Sequence, residues 1–234
     1  MKSKKIMRVI AVVYILIMIC VNIYSNIYYV KIGGKKYKKD TKEISVYSLN
    51  DSDIKKINKC TEIEQMHLSG AGENSFTKFE NFHNLNCLMI GRSELSSADS
   101  EKISTFDNLK DLIIDYTTVD FKGFNSDTVS TIHFLYSNVK NFEALAECSS
   151  LKHIGIHGSI ISDCIDNNYV MKDSSVFASF DYVESLWIDV GKIEDVSGFL
   201  EMDSLKEFTF DKGTLSEDDK RLLEDKGISV IEND

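Results

Sequence analysis

The chain has 234 residues, of which 43% are hydrophobic and none is proline. This apolar content excludes a wholly disordered protein and allows a sizeable core, and the lack of proline excludes collagen-like, mucin-like and polyproline proteins. Five cysteines in a chain of this length do not make a disulfide-stapled miniprotein and fit reduced thiols better.

The net charge of −10 is divided unevenly along the chain. Residues 1–42 carry ten basic residues and one acidic residue, whereas the rest of the chain carries 17 basic and 36 acidic residues. Because a domain this acidic repels phosphate backbones, we expect no nucleic-acid partner. The same balance favours a basic or neutral partner.

The first predicted element is a membrane-spanning helix within residues 1–30. An apolar run begins at Val9 and, apart from a short polar interruption at Ser25 and Asn26, continues to Val30. About 20 helical residues cross a bilayer, so residues 9–30 are long enough to span it. Basic residues precede the run, as in a secretory signal, but no small-residue cleavage site follows, so we expect an uncleaved signal anchor.

Basic residues flank the apolar run on both sides, so the positive-inside rule does not fix the orientation. The signal-like order of basic cluster and apolar run favours a single-pass protein of the cell membrane with the bulk of the chain extracellular. Residues 31–43 are interpreted as a basic juxtamembrane segment that leads into the folded domain.

An apolar pattern of the form L-x-x-L-x-L recurs through the rest of the chain. Seven well-formed copies begin at Ile63, Leu85, Leu109, Val129, Leu151, Val183 and Leu205. A weaker copy begins at Thr41, and the one spacing of 32 residues marks an insertion near residues 163–173. Alternation predicts a short strand in each copy, with the fourth and sixth residues inward and the third, fifth and seventh outward. Since one copy cannot bury its own apolar face, the pattern predicts a solenoid over residues 44–215.

The segments between these strands also carry a period. Apolar residues recur every three positions, as at Ile103, Phe106 and Leu109, which is typical of a short α-helical or 3₁₀ turn. The fold class is therefore an α/β repeat solenoid, preceded by one transmembrane helix. Residues 216–234 are interpreted as a capping helix and strand, because Ser216 followed by Asp219 resembles a capping box.

The repeat, with DVSGFLEMDSLKEFTF as its clearest instance, resembles the 22-residue leucine-rich repeats of bacterial surface proteins of the internalin type. The resemblance covers residues 41–234. It implies a parallel sheet on a concave face and short helical turns on the convex side. The sequence departs from this family at the ninth position of each copy, where the family has an asparagine that joins neighbouring loops. That position here holds Ala71, Ser93, Thr117, Ser137, Ser159, Gly191 and Gly213.

Aromatic residues on the predicted concave face and its edge are the candidate partner-binding residues. They are Tyr116, His133, Tyr136, His157 and Trp187. Exposed aromatic side chains on a rigid sheet are common anchors of protein recognition. The alternative is that these rings only stack on one another along the sheet.

Candidate metal ligands lie on the same predicted face. Two of the imidazoles of His133, His153 and His157, with the carboxylate of Asp189, could bind a metal ion. Each of these residues lies on a different strand or in a different row of the face, so we predict no metal and no cofactor.

The sequence has no phosphate-binding loop, no G-x-S-x-G, no H-E-x-x-H and no C-x-x-C motif, which favours a non-catalytic protein. The favoured interpretation is a membrane-anchored leucine-rich repeat protein that binds a protein or glycan on its concave face. The alternatives are a membrane-tethered scaffold facing the cell interior and an accessory subunit of a cell-envelope enzyme.

Overall fold

The computed structural model describes the backbone of residues 2–162 and 164–233 and the side chains of residues 13–162 and 164–233. Three parts of the predicted organisation lie outside these ranges. They are the side chains of residues 1–12 in the anchor, residue 163 in the insertion and residue 234 in the cap. The α-helices are α1 (Lys2–Tyr28), α2 (Asp51–Ile57), α3 (Ser97–Ser104), α4 (Ser197–Glu201) and α5 (Glu217–Asp225). Short 3₁₀ helices cover Phe76–Lys78, Phe142–Glu147 and Ser175–Ser179.

Most strands are short and recur once per repeat copy. They are β1 (Tyr29–Ile32), β2 (Lys35–Lys38), β3 (Glu43–Val46), β4 (Gln65–Ser69), β5 (Cys87–Gly91), β6 (Glu94–Leu95), β7 (Asp111–Asp115), β8 (Thr118–Asp120), β9 (Thr131–Leu135), β10 (Asn138–Lys140), β11 (His153–His157), β12 (Ile160–Ile161), β13 (Val170–Met171), β14 (Ser185–Asp189), β15 (Lys192–Ile193), β16 (Glu207–Asp211) and β17 (Ser229–Asn233).

A parallel sheet of nine strands is the main feature of the described chain. Its order is β3-β4-β5-β7-β9-β11-β14-β16-β17, so strands of successive copies lie side by side. The register advances by one copy at each step, and Leu112 lies between Leu88 and Ile132. All three of these side chains are buried. The predicted repeat solenoid, with its parallel sheet and inward fourth and sixth residues, is confirmed.

A second, smaller layer of strands lies behind the first. Strands β6, β8, β10 and β12 form one parallel sheet, and β13 pairs with β15. In the copies that start from Leu85 to Val183, the apolar residue ten positions after the start is buried in these strands, as for Val119 and Val139. The region predicted as an insertion thus contributes β13 to this layer. Its Ile165 is buried and bridges Ile161 and Met171.

Phenylalanine rings fill the space between the sheet and the helical turns. Phe142 from a 3₁₀ turn contacts Phe177 of the next copy with centroids 5.4 Å apart, and Phe177 contacts Phe199 at 5.0 Å. Phe199 in turn contacts Phe208 at 4.9 Å. All are buried, so the core runs from copy to copy as a solenoid requires. This arrangement explains the three-residue period upstream of the strands.

Hydroxyl groups take the place of the missing asparagines at the ninth position. The Ser137 hydroxyl accepts a hydrogen bond from the Thr117 amide at 3.1 Å, and the Ser159 hydroxyl accepts one from the Ser137 amide at 2.9 Å. Ser93 and Thr117 act in the same way, accepting from the amides of Ala71 and Ser93 respectively. Each hydroxyl therefore satisfies a buried amide of the preceding copy. This ladder keeps the turns regular from Ala71 to Ser159.

The segment predicted as basic and juxtamembrane folds as an antiparallel hairpin of β1 and β2. Gly33 and Gly34 form its two-residue turn with φ of 53° and 80°, the left-handed conformations that a type I′ turn needs. The hairpin directly follows α1. Among the residues whose side chains are described, no helix has both the length and the apolar character needed to cross a membrane.

Candidate recognition face

The outward side chains of the nine-stranded sheet, at the third, fifth and seventh positions of each copy, form what we call the outer sheet face. This is the face that the sequence predicts to be concave. The central row, from the fifth positions, is aligned by the register and comprises Ser45, His67, Met89, Ile113, His133, Gly155, Trp187, Thr209 and Ile231. Most of these side chains are half-buried or exposed. The central row is thus an ordered line of apolar, aromatic and polar side chains on a hydrogen-bonded scaffold.

On this face the ring of His157 neighbours the rings of both His133 and Trp187. We call these three predicted residues the histidine–tryptophan cluster. The imidazoles of His133 and His157 are stacked with centroids 5.9 Å apart and planes 19° apart. Trp187 meets the His157 ring edge-on at 4.5 Å and is 42% exposed. The cluster therefore presents a large indole whose orientation is supported by a neighbouring ring.

Gly155 makes the cluster possible. It occupies the fifth position of β11, between His133 of β9 and Trp187 of β14. A Cβ at this position would lie 2.2 Å from His133 Nδ1 and 3.0 Å from His157 Nε2. The imidazoles thus fill the space that a side chain on β11 would occupy. Sequence reasoning missed this residue, although a glycine inside a strand is a known sign of close approach by a neighbour.

Burial lowers the pKa of both imidazoles and so favours their neutral form. It lowers the pKa of His133 against a smaller opposing effect of the Asp111 carboxylate. It also lowers the pKa of His157, an effect to which the neighbouring His133 adds. Beside them, burial and a hydrogen bond to Asp211 raise the pKa of Asp189.

The other two predicted residues, Tyr116 and Tyr136, lie at the rim of the sheet, one position after β7 and β9. Their rings are stacked with centroids 5.0 Å apart and planes 22° apart, and both are more than half exposed. Their backbones are left-handed, with φ of 44° and 48°, which is costly for bulky residues. Each amide donates to a carbonyl of the next copy, that of Leu135 or His157, and this bond fixes the turn.

The rim tyrosines border a hollow of about 170 Å³, which is lined by uncharged residues. Tyr169, exposed and also left-handed with φ of 56°, belongs to the same lining. Gly158 lies beneath Tyr136, since a Cβ there would come within 2.8 Å of the tyrosine ring. Ring contacts thus join the five predicted residues as a pair and a trio. Their binding role stays a prediction.

The residues weighed for a metal site do not converge. His153 is exposed at the start of β11 and is not part of the stacked pair of imidazoles. Within the described side chains, no group of three or more histidine, cysteine, aspartate or glutamate residues is placed to hold a metal ion. Burial raises the pKa of the Cys60, Cys87 and Cys148 thiols.

No known family model matches the sequence, and no curated protein matches it. Among solved structures, the chain is similar to internalin C2 from Listeria monocytogenes, with a TM-score of 0.57 and 14% identity over 86% of each chain. It is also similar to a second internalin from that organism, with a TM-score of 0.45 and 13% identity over 84% of this chain and 64% of that one. The first likeness shows that the chain has a leucine-rich repeat fold.

Proposed function

We propose that this protein is a non-catalytic, membrane-anchored recognition protein that binds a protein partner on its outer sheet face. The histidine–tryptophan cluster carries the proposal. Trp187 is a large, exposed side chain on a strand that is hydrogen-bonded on both sides, and His157 supports its ring. Binding through such a group costs little ordering entropy, which is why rigid aromatic residues act as interface anchors.

The charges around the central row favour a basic or neutral partner. Asp111 and Glu207 lie on one side of the row, at third positions, and Asp115 and Asp211 lie on the other side, at seventh positions. An apolar centre with a charged rim is the usual anatomy of a protein interface. The carboxylates would repel an acidic partner and speed association with a basic one. A neutral glycan is the second candidate, because uncharged residues and tyrosine rings line the rim hollow.

The proposed anchor is α1. Residues 13–20, VYILIMIC, are all apolar and all exposed, so this stretch of the helix is apolar on every side rather than on one face. Ile15, Ile19 and Ile23 are each about half exposed. Helices that are apolar all round are typical of buried or membrane-inserted segments. We place the repeats outside the cell, against the alternatives of an inward-facing scaffold or an accessory subunit of a cell-envelope enzyme.

Recognition is tested by identifying the ligand through crosslinking on intact cells and then measuring its affinity for purified variants. Trp187→Ala and Tyr136→Ala should each weaken binding by about tenfold or more, the loss typical of an interface anchor. Lys140→Ala, on β10 of the second layer, is the control and should bind as the parent does. A loss confined to Lys140→Ala would place the binding surface elsewhere on the solenoid.

Localisation is tested by protease treatment of intact cells that express the chain with a C-terminal tag. Loss of the tag without cell lysis supports extracellular repeats. Protection of the tag in intact cells, with loss only after lysis, would favour the inward-facing scaffold.

A further inference from the structure

We propose that the β1–β2 hairpin is a binding surface for the headgroups of an anionic lipid bilayer, formed by Lys31, Lys36 and Lys38. The inference rests on the proposed anchoring by α1 and adds to it a second, electrostatic contact with a defined lipid chemistry. The three residues are called the hairpin lysines below.

The hairpin separates an apolar face from a basic one. Cross-strand pairing places Val30 opposite Tyr37 and Lys31 opposite Lys36. Ile32 and Tyr37 are buried, and the Tyr37 hydroxyl donates a hydrogen bond to the Ser45 carbonyl at 2.8 Å. Since successive side chains of a strand alternate, the hairpin lysines project from the opposite face, where all three are exposed. Packing of one face on the solenoid thus fixes the direction of the other.

The hairpin lysines lack a carboxylate partner in the described part of the chain. Several lysines elsewhere have one: Lys42 pairs with Glu64 at 2.6 Å and Lys78 pairs with Asp51 at 2.7 Å. Lys31 and Lys36 instead face each other across the strands, an arrangement of like charges that destabilises a hairpin. These facing lysines belong to a chain that has ten more acidic than basic residues. An external anion would relieve the repulsion.

The position of the patch favours a bilayer over a soluble anion. Helix α1 ends at Tyr28 and β1 begins at Tyr29, so no linker separates the apolar helix from the basic face. Lys39 links the hairpin to the end of α1. Its amide donates a hydrogen bond to the Tyr28 carbonyl at 3.0 Å, and its Nζ donates one to the Asn26 carbonyl at 3.1 Å. Ile27 and Tyr28 are exposed beside this junction. Apolar, aromatic and basic side chains in that order match the hydrocarbon, interface and headgroup layers of an anionic membrane.

The test measures flotation of the full-length protein with vesicles of phosphatidylcholine alone or of phosphatidylcholine with phosphatidylglycerol. A basic residue near an anionic surface contributes about 1 kcal/mol, or about fivefold each, so the parent should prefer the anionic vesicles by at least about tenfold. The Lys31→Gln/Lys36→Gln/Lys38→Gln variant should lose this preference but keep its binding to neutral vesicles. High salt should abolish the preference of the parent.

The matched control is Lys110→Gln/Lys122→Gln/Lys140→Gln. These three lysines are also exposed and also form no ion pair within the described residues. Because both triple variants replace three lysines by glutamine, they change the net charge equally. The control should keep the anionic preference, and an equal loss in it would overturn the proposal. Equal binding of the parent to both kinds of vesicle would overturn the proposal for the hairpin lysines but would leave the proposed anchoring by α1 intact. Binding to neither kind of vesicle would contradict the proposed anchoring. If the parent bound soluble polyphosphate as tightly as it binds anionic vesicles, the hairpin lysines would be a site for a soluble polyanion. The proposal of a bilayer ligand would then be wrong.

Discussion

At the residue scale, glycines decide which side chains can meet. Gly155 leaves room for His133 above β11, and Gly158 lies under the Tyr136 ring. Neither requirement can be read from the repeat pattern, because each depends on the side chain of a neighbouring copy more than twenty residues away. The sequence identifies the aromatic residues that form the face but not the glycines that arrange them.

Gly198 is the most confined of these glycines. It lies in α4, and a Cβ there would come within 1.8 Å of the Ser174 carbonyl oxygen, which is backbone and cannot rotate away. Its amide also donates to the Ser174 hydroxyl at 2.8 Å. We expect Gly198→Ala to lower the free energy of unfolding by about 1–3 kcal/mol or more, as overpacking does. Thermal melts check this, with Gly72→Ala as control, since a Cβ at Gly72 meets nothing within 4 Å. Equal melting temperatures for the two variants would contradict the packing described.

The lowered pKa values of the two imidazoles predict how stability depends on pH. Burial lowers the pKa of His133 and His157 in the folded protein. Below about pH 6.5 the unfolded chain therefore takes up protons that the folded chain does not, so the free energy of unfolding falls as the pH drops towards the lowered values. Well above about pH 6.5 the imidazoles are neutral in both states and this contribution is constant. Asp189 acts in the opposite sense, because its raised pKa lets the folded state hold a proton more tightly.

Chemical denaturation between about pH 5 and 7 measures this slope. The His133→Gln/His157→Gln variant should flatten the dependence. His83→Gln is the control, because His83 is exposed and pairs only with exposed Asp107. A slope that is unchanged in the double variant, or flattened equally by the control, would show that other groups carry the dependence.

At the element scale, strands are more predictable than the bonds that join the turns. Period-two alternation alone identifies the buried residues of each strand, as at Leu186 and Ile188 of β14. The β1–β2 hairpin is also encoded, by the Gly33-Gly34 pair between short alternating runs, but its many lysines make it resemble a flexible basic segment. The hydroxyl ladder is less visible, because the ninth position varies among serine, threonine, alanine and glycine.

The ladder gives a prediction at Ser137. Its buried hydroxyl accepts from the Thr117 amide and donates to the Leu135 carbonyl at 2.8 Å. Ser137→Ala should cost about 1–3 kcal/mol, because it leaves a buried amide without a partner. Ser137→Thr keeps the hydroxyl, as Thr117 does in the preceding copy, and should be close to the parent. Equilibrium urea unfolding distinguishes them, with Ser229→Ala on exposed β17 as a neutral reference. Equal stability of the alanine and threonine variants would show that the ladder contributes little.

At the scale of the whole molecule, the solenoid could be predicted because every copy repeats the same packing problem. The recognition face could be predicted only in part. Position within the copy places His133 and Trp187 on the sheet face, and it places Tyr136 at the rim. Which rings touch depends on strand twist and turn conformation, which a one-dimensional pattern does not contain. The direction in which the lysine face of the hairpin points depends likewise on its packing against the first repeat.

The last prediction tests whether neighbouring copies unfold together. Leu112 is buried and lies between Leu88 and Ile132, so a carboxylate there would be unpaired in the core, at a cost of several kcal/mol. Because each repeat is stabilised through its neighbours, Leu112→Asp should unfold several adjacent copies rather than one. Hydrogen exchange should then show lost protection in β5 and β9 as well as in β7.

Ile113→Asp is the matched control, one residue along the same strand. Ile113 is half-buried on the outer sheet face, so its carboxylate reaches water and the loss of stability should be much smaller. A one-residue shift of register would exchange the two faces of β7 and reverse this order. If Ile113→Asp destabilised the chain more than Leu112→Asp, the register would be wrong, and the assignment of His133 and Trp187 to the exposed face would fail with it.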